Sequence, residues 1–137
     1  MTPAEAEAIV ALALELDQAA LLGADEDAFR SDRFRQLAAE RVVERIYQAA
    51  VALDPSRAEH YFGGDGLRHL RGMRNRLAHN YLAVDNEFLW EAVSADVVSV
   101  RGRLDDDLIQ AAALLGEHRA TIPDEADDWR STHLGPT

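Results

Sequence analysis

Residues 74–81 read Arg74-Asn75-Arg76-Leu77-Ala78-His79-Asn80-Tyr81. They place a guanidinium, an amide, an imidazole and a phenol within two helical turns. Imidazole takes up and releases a proton near neutral pH. A guanidinium can hold two anionic oxygens at once. No other stretch gathers so much chemistry. Its charge is also local: residues 68–79 hold four arginines, two histidines and no acid, in a chain of formal net charge -11.

The elements around this stretch must place it. At about 100° per residue, Leu70, Met73, Leu77 and Tyr81 form a core stripe flanked by Leu67 and Ala78, and Arg74 falls inside it. Arg68, Arg71, Asn75 and His79 share another side, with Gly72 among them. An arginine on an apolar stripe needs a partner or a polar cleft. One reading is an ion pair with Glu40 or Glu44 of the preceding long helix. Gly72 costs roughly 1 kcal/mol against alanine in a helix interior, and it suits either a dimer seam or plain exposure. Arg74 and His79 diverge by roughly 140° on a straight helix. A joint site therefore needs the helix to loosen near His79, or a second subunit to bring its own pair. A lone histidine on a helix is more often structural or solvated than catalytic.

The 137 residues suit one domain. Thr2-Pro3-Ala4-Glu5 opens a first helix with a capping residue, a proline at the first position and an acid three residues on. Ile9, Leu12, Ala13, Leu16, Ala19 and Ala20 form its stripe, and Gly23 stops it. Residues 24–31 read as an acidic loop with a helical turn. A second helix is expected over 32–53, with Phe34, Leu37, Ala38, Val42, Ile46, Ala49 and Leu53 near one face. A short turn and a loop through Gly63-Gly64 lead to a third helix over 66–80, capped by Asp65. Asp85 caps a fourth, opened by Phe88, Leu89, Trp90 and Val93, with a break or kink near Ser94-Ala95-Asp96 and a helical pattern through Leu115. The expected fold is all-α: an antiparallel up-and-down bundle of four to five helices over residues 1–120, followed by an irregular tail over 121–137.

Several classes are excluded. The chain has no cysteine, hence no disulfide, thiolate zinc site or cysteine nucleophile. No segment can span a bilayer and no secretory signal opens the chain, which points to the cytoplasm. His60, His69 and His79 lack the spacing of a zinc helix. Gly63-Gly64-Asp65-Gly66 lacks the strand and the Lys-Ser/Thr of a phosphate loop. Asp105-Asp106-Asp107 reads as a solvated face rather than a cation site. Basic residues interleaved with aromatics, as on a base-stacking platform, are absent from the sequence. No metal or cofactor is expected.

The residues 74–81 string resembles the signature of HEPN-domain proteins. With Tyr81 two residues past the histidine, it is most similar to the HepT branch. Gly72-Met73, Val84-Asp85 with Trp90, and Ala39-Glu40-Arg41 with Ile46 and Ala49 resemble that branch too. The likeness covers roughly residues 5–115. Two positions depart from it: Tyr47-Gln48-Ala49 stands where the family often has Gly-Glu-Ala, and Gly66-Leu67 where an aromatic is common.

The resemblance implies a homodimeric helical bundle acting as a metal-independent endoribonuclease. In that scheme His79 is the acid or base, Arg74 stabilises the transition state and Asn75 orients the phosphate or His79. Arg68, Arg71 and Arg76 hold RNA, and Gly72 lies at the dimer seam. It also implies a toxin paired with a MntA-like minimal nucleotidyltransferase antitoxin, which adds AMP to Tyr81. The alternative is a non-catalytic helical module that binds the nucleotidyltransferase or a nucleotide. A third reading is a structural bundle with no site.

Overall fold

The computed structural model of the chain describes residues 1–79 and 86–121, and these are all-helical with no strand. The helices are α1 (Pro3–Leu22), α2 (Glu26–Ser31), α3 (Arg33–Val51), α4 (Pro55–His79), α5 (Asn86–Glu91), α6 (Val97–Gly102) and α7 (Asp105–Thr121). A single π-helical turn, Ala92–Asp96, joins α5 to α6. The expected tail, the Asp85 cap, Asn80 and Tyr81 lie outside the described residues.

The start of α1 is built as its residues dictate. Thr2 Oγ1 accepts from the Glu5 backbone N–H at 3.1 Å, and Pro3 supplies the first helical residue. Glu5 does not complete the reciprocal half of the cap, because its carboxylate is taken by Arg57 of α4 at 2.8 Å. Ile9, Leu12, Ala13, Leu16 and Ala19 are buried as the stripe requires. α1 is the central helix and packs mainly against α3 and α7. At its end, a Cβ built on Gly23 would lie 2.1 Å from the Val93 carbonyl oxygen of the π turn. A glycine is needed there for close backbone approach.

α2 and α3 differ from expectation in an instructive way. Phe29 of α2 is fully buried, with its ring 5.5 Å from that of Trp90. The Gln36 amide donates to the carbonyl oxygens of Phe29 and Arg30, both at 3.1 Å, which satisfies the end of α2. That turns Gln36 inward. Phe34, two residues earlier and about 200° round the helix, then faces out and is 82% exposed. The expected stripe through Phe34, Leu37 and Ala38 is thereby corrected: the buried row is Ala39, Val42, Val43, Ile46 and Ala50.

α4 is longer than the expected third helix and begins at Pro55, so the turn and loop expected over 56–65 are helical apart from one residue. Gly63 has φ 73° and ψ 162°, a left-handed break inside the helix. The segment before the break is clamped. Arg57 pairs with Glu5 and with Asp107 of α7, both at 2.8 Å. The buried Tyr61 hydroxyl donates to the same Asp107 carboxylate, and Arg103 donates to the Tyr61 carbonyl at 2.7 Å. Burial, then the bond to Asp107, push the Tyr61 phenol up to about 12.

The expected fourth helix is interrupted twice. The kink near Ser94-Ala95-Asp96 is the π turn, where Ser94 Oγ donates to the Trp90 carbonyl at 2.6 Å. A further break falls at Arg103 and Leu104, between α6 and α7. The three aspartates that follow open α7, where carboxylates favour the helix dipole. Asp105 also binds Arg101, which reaches Asp17 of α1 as well.

Candidate active site

The motif occupies the second half of α4, residues 64–79. Leu70, Met73 and Leu77 turn inward, Met73 and Leu77 being buried, and seat this half on α3. The flanks of the helix then have different neighbours.

On the α3 flank stands Arg74. It is exposed rather than set in the core stripe, which corrects the wheel expectation. Its guanidinium lies over the Tyr47 ring, 5.5 Å from the centroid, and its Nη1 approaches Asn75 Oδ1 at 3.4 Å. The ion pair with Glu40 or Glu44 does not form. Glu44 is bonded by Arg41 of its own helix at 3.0 Å, and among the described residues Arg74 has no carboxylate partner. The aromatic contact lets the side chain cross the edge of the stripe and still end in solvent.

On the opposite flank stands Arg76. Its guanidinium lies 4.8 Å from the centroid of the Phe88 ring of α5, and the His69 ring is 6.4 Å from Phe88. Between the flanks, Arg71, Gly72 and Asn75 face outward. A Cβ on Gly72 would meet nothing within 4 Å, so among the described residues no close helix crossing explains that glycine. Arg68 is exposed and pairs with Asp65 one turn earlier. His79 is the last residue of α4. Tyr81 lies outside the described residues.

One acid near this face is neutralised. Glu87, the first-turn acid of α5, is bonded by Arg30 of α2, whose Nη2 lies 3.2 Å from Oε2. That bond holds the Glu87 carboxyl below its usual range. Most arginines outside the motif pair with carboxylates: Arg30, Arg35, Arg41, Arg45, Arg57 and Arg101 all do. Among the described residues, Arg74 and Arg76 rest on rings instead. Their charge stays available to an anionic ligand.

A cavity of about 550 Å³ opens between the motif half of α4 and the π turn with α6. Buried Leu16, Val43, Ile46 and Val97 line its floor, and Glu91 and Asp96 its rim. Among the described residues no three His, Cys, Asp or Glu side chains form a group that could hold a metal ion, and no helix is long and apolar enough to cross a membrane.

The arrangement supplies exposed guanidiniums with no carboxylate attached among the described residues, on a helix that ends in a histidine. That suits binding of a phosphodiester and proton transfer beside it. A family model described as ribonuclease HepT-like matches residues 12–113. The chain belongs to the ribonuclease HepT-like family. No curated protein and no solved structure is matched by it.

In this HepT-like chain, two side chains at the motif escaped the sequence reading. Tyr47 had a signal, since it stands in the run that departs from the family's usual Gly-Glu-Ala. Phe88 was read only as one of the residues that open the fourth helix. Leu89 is fully buried, while Phe88 is 37% exposed.

Proposed function

We propose that this chain is the toxin of a toxin–antitoxin pair, a metal-independent endoribonuclease working as a homodimer. The observation that carries the reading is the Arg74 guanidinium, held by the Tyr47 ring and the Asn75 amide and paired with no carboxylate among the described residues.

In the reaction, His79 takes the proton from a ribose 2′-hydroxyl. The 2′-oxygen attacks the adjacent phosphorus, and the bond to the 5′-oxygen breaks. The His79 of a second subunit returns a proton to that oxygen. The products are a 2′,3′-cyclic phosphate and a free 5′-hydroxyl. Arg74 stabilises the charge that grows on the non-bridging oxygens, and Asn75 orients the phosphate. Arg68, Arg71 and Arg76 hold the RNA backbone. The open surface over Gly72 is the seam at which two copies meet, bringing the second histidine to the site.

A MntA-like nucleotidyltransferase neutralises the toxin through Tyr81. The tyrosine oxygen attacks the α-phosphorus of ATP and pyrophosphate leaves. The attached AMP then puts a negative charge and a base where RNA binds.

The test is RNA cleavage in the presence of a chelator by wild type, Arg74→Ala and His79→Ala. Cleavage by wild type, terminating in cyclic phosphate, and its loss in both variants are expected. Equal cleavage by all three would sink the catalytic assignment. Wild type with no cleavage would leave a nucleotidyltransferase-binding module as the better reading.

A further inference from the structure

We propose that Phe88 is a stacking platform for one nucleobase of the bound strand, a subsite beside the phosphate-binding arginines. The inference rests on the ribonuclease reading for its ligand class.

The sequence interleaves no aromatics with the basic residues of α4. The fold supplies one from another helix. Phe88 is brought alongside Arg76 and His69, and more than a third of its surface is open to solvent. An open aromatic ring flanked by cationic or imidazole groups is the arrangement on which single-stranded nucleic acids stack. The helix that carries the ring is anchored. Leu89 beside it is fully buried, and Trp90 packs on Phe29. Glu87, the acid adjoining it, is bonded by Arg30, which lessens repulsion of a phosphate there.

The charge pattern gives the strand a direction. Glu91 and Asp96 lie beyond Phe88 on the cavity rim. Phosphates are therefore led toward Arg76 and Arg74 rather than along α6. The base enters over Phe88, and Arg76 moves from the ring to the flanking phosphate or to the far face of the base. A guanidinium stacks on either.

The probe is a fluorophore-labelled single-stranded oligonucleotide with 2′-O-methyl riboses, which lacks the attacking hydroxyl. Its binding is read by anisotropy with wild type, Phe88→Leu and Phe88→Trp, then repeated with oligonucleotides carrying one abasic position each. Phe88→Leu should weaken binding about five- to a hundredfold, and Phe88→Trp should keep it. One abasic position should weaken wild type and leave Phe88→Leu indifferent. Binding by Phe88→Leu within twofold of wild type overturns the platform, as does an abasic effect that persists in that variant. If Phe88→Leu does not fold, the abasic scan of wild type decides, and no sensitive position overturns it. The parallel assay uses unmodified RNA. Stacking without cleavage upholds the platform and removes the ribonuclease reading. Cleavage with no Phe88 effect does the reverse.

Discussion

The Arg74 guanidinium lies 5.5 Å above the centre of the Tyr47 ring, a contact across two helices that ties the motif to α3. A cation over an exposed ring is worth about 0.5–1 kcal/mol, and its partner is neutral. The contact therefore orients Arg74 without discharging it. Tyr47→Phe should keep RNA cleavage near wild type, since the ring is what matters. Tyr47→Leu should lower kcat by about two- to fivefold, with little change in KM. A steady-state comparison of the two variants checks this, and equal kcat in both would separate Tyr47 from the site.

Tyr61 gives a prediction in alkali. Its folded pKa is about 12, above the ordinary tyrosine value of about 10. The folded state thus prefers the protonated phenol. The stability this lends is fully present below about pH 10 and is lost as pH rises through 12. Absorbance titration of phenolate should show one tyrosine ionising near pH 12, together with loss of helical circular dichroism. Tyr61→Phe should remove that late step and cost about 1 kcal/mol at neutral pH.

Gly23 predicts a steric failure far from the motif. With the Val93 oxygen 2.1 Å from a built Cβ, Gly23→Ala must push α1 away from the π turn. A loss of about 1–3 kcal/mol is expected, read as a lowered denaturation midpoint. An unchanged midpoint would mean that the two backbones are not held so close.

Glu15 and Arg45 make a lopsided pair. The carboxylate of Glu15 is buried and the arginine half exposed, 2.6 Å apart, and Glu15 Oε2 has no hydrogen-bond partner. Removing the arginine strands the acid, while removing the acid relieves it. Arg45→Ala should therefore destabilise by about 1–3 kcal/mol, and Glu15→Leu should be neutral or stabilising. Chemical denaturation of both variants checks the asymmetry.

Much of the scaffold was legible because its signals are local. The Thr2 cap, the Pro3 start, the Gly23 stop and the kink near Ser94 each depend on a few neighbouring residues. The features that were misread depend on distant ones. Phe34 faces out because Gln36 is claimed by carbonyls of α2. Arg74 leaves the core stripe because Tyr47 offers a ring and Arg41 has taken Glu44. The double glycine at 63–64 reads as a loop, yet one left-handed residue suffices and the helix resumes at once. The motif itself was visible as residue types. Its aromatic supports were not, since they come from α3 and α5.

The break at Gly63 separates two mechanical regimes along α4. The part before it is bolted to α1 and α7 through Arg57 and Tyr61. The part after it meets α3 on one side and a cavity on another. That cavity spans the break: it is lined by Phe62 and Arg103 on the anchored side and by His69, Leu70 and Met73 on the side that carries Arg74 and Arg76.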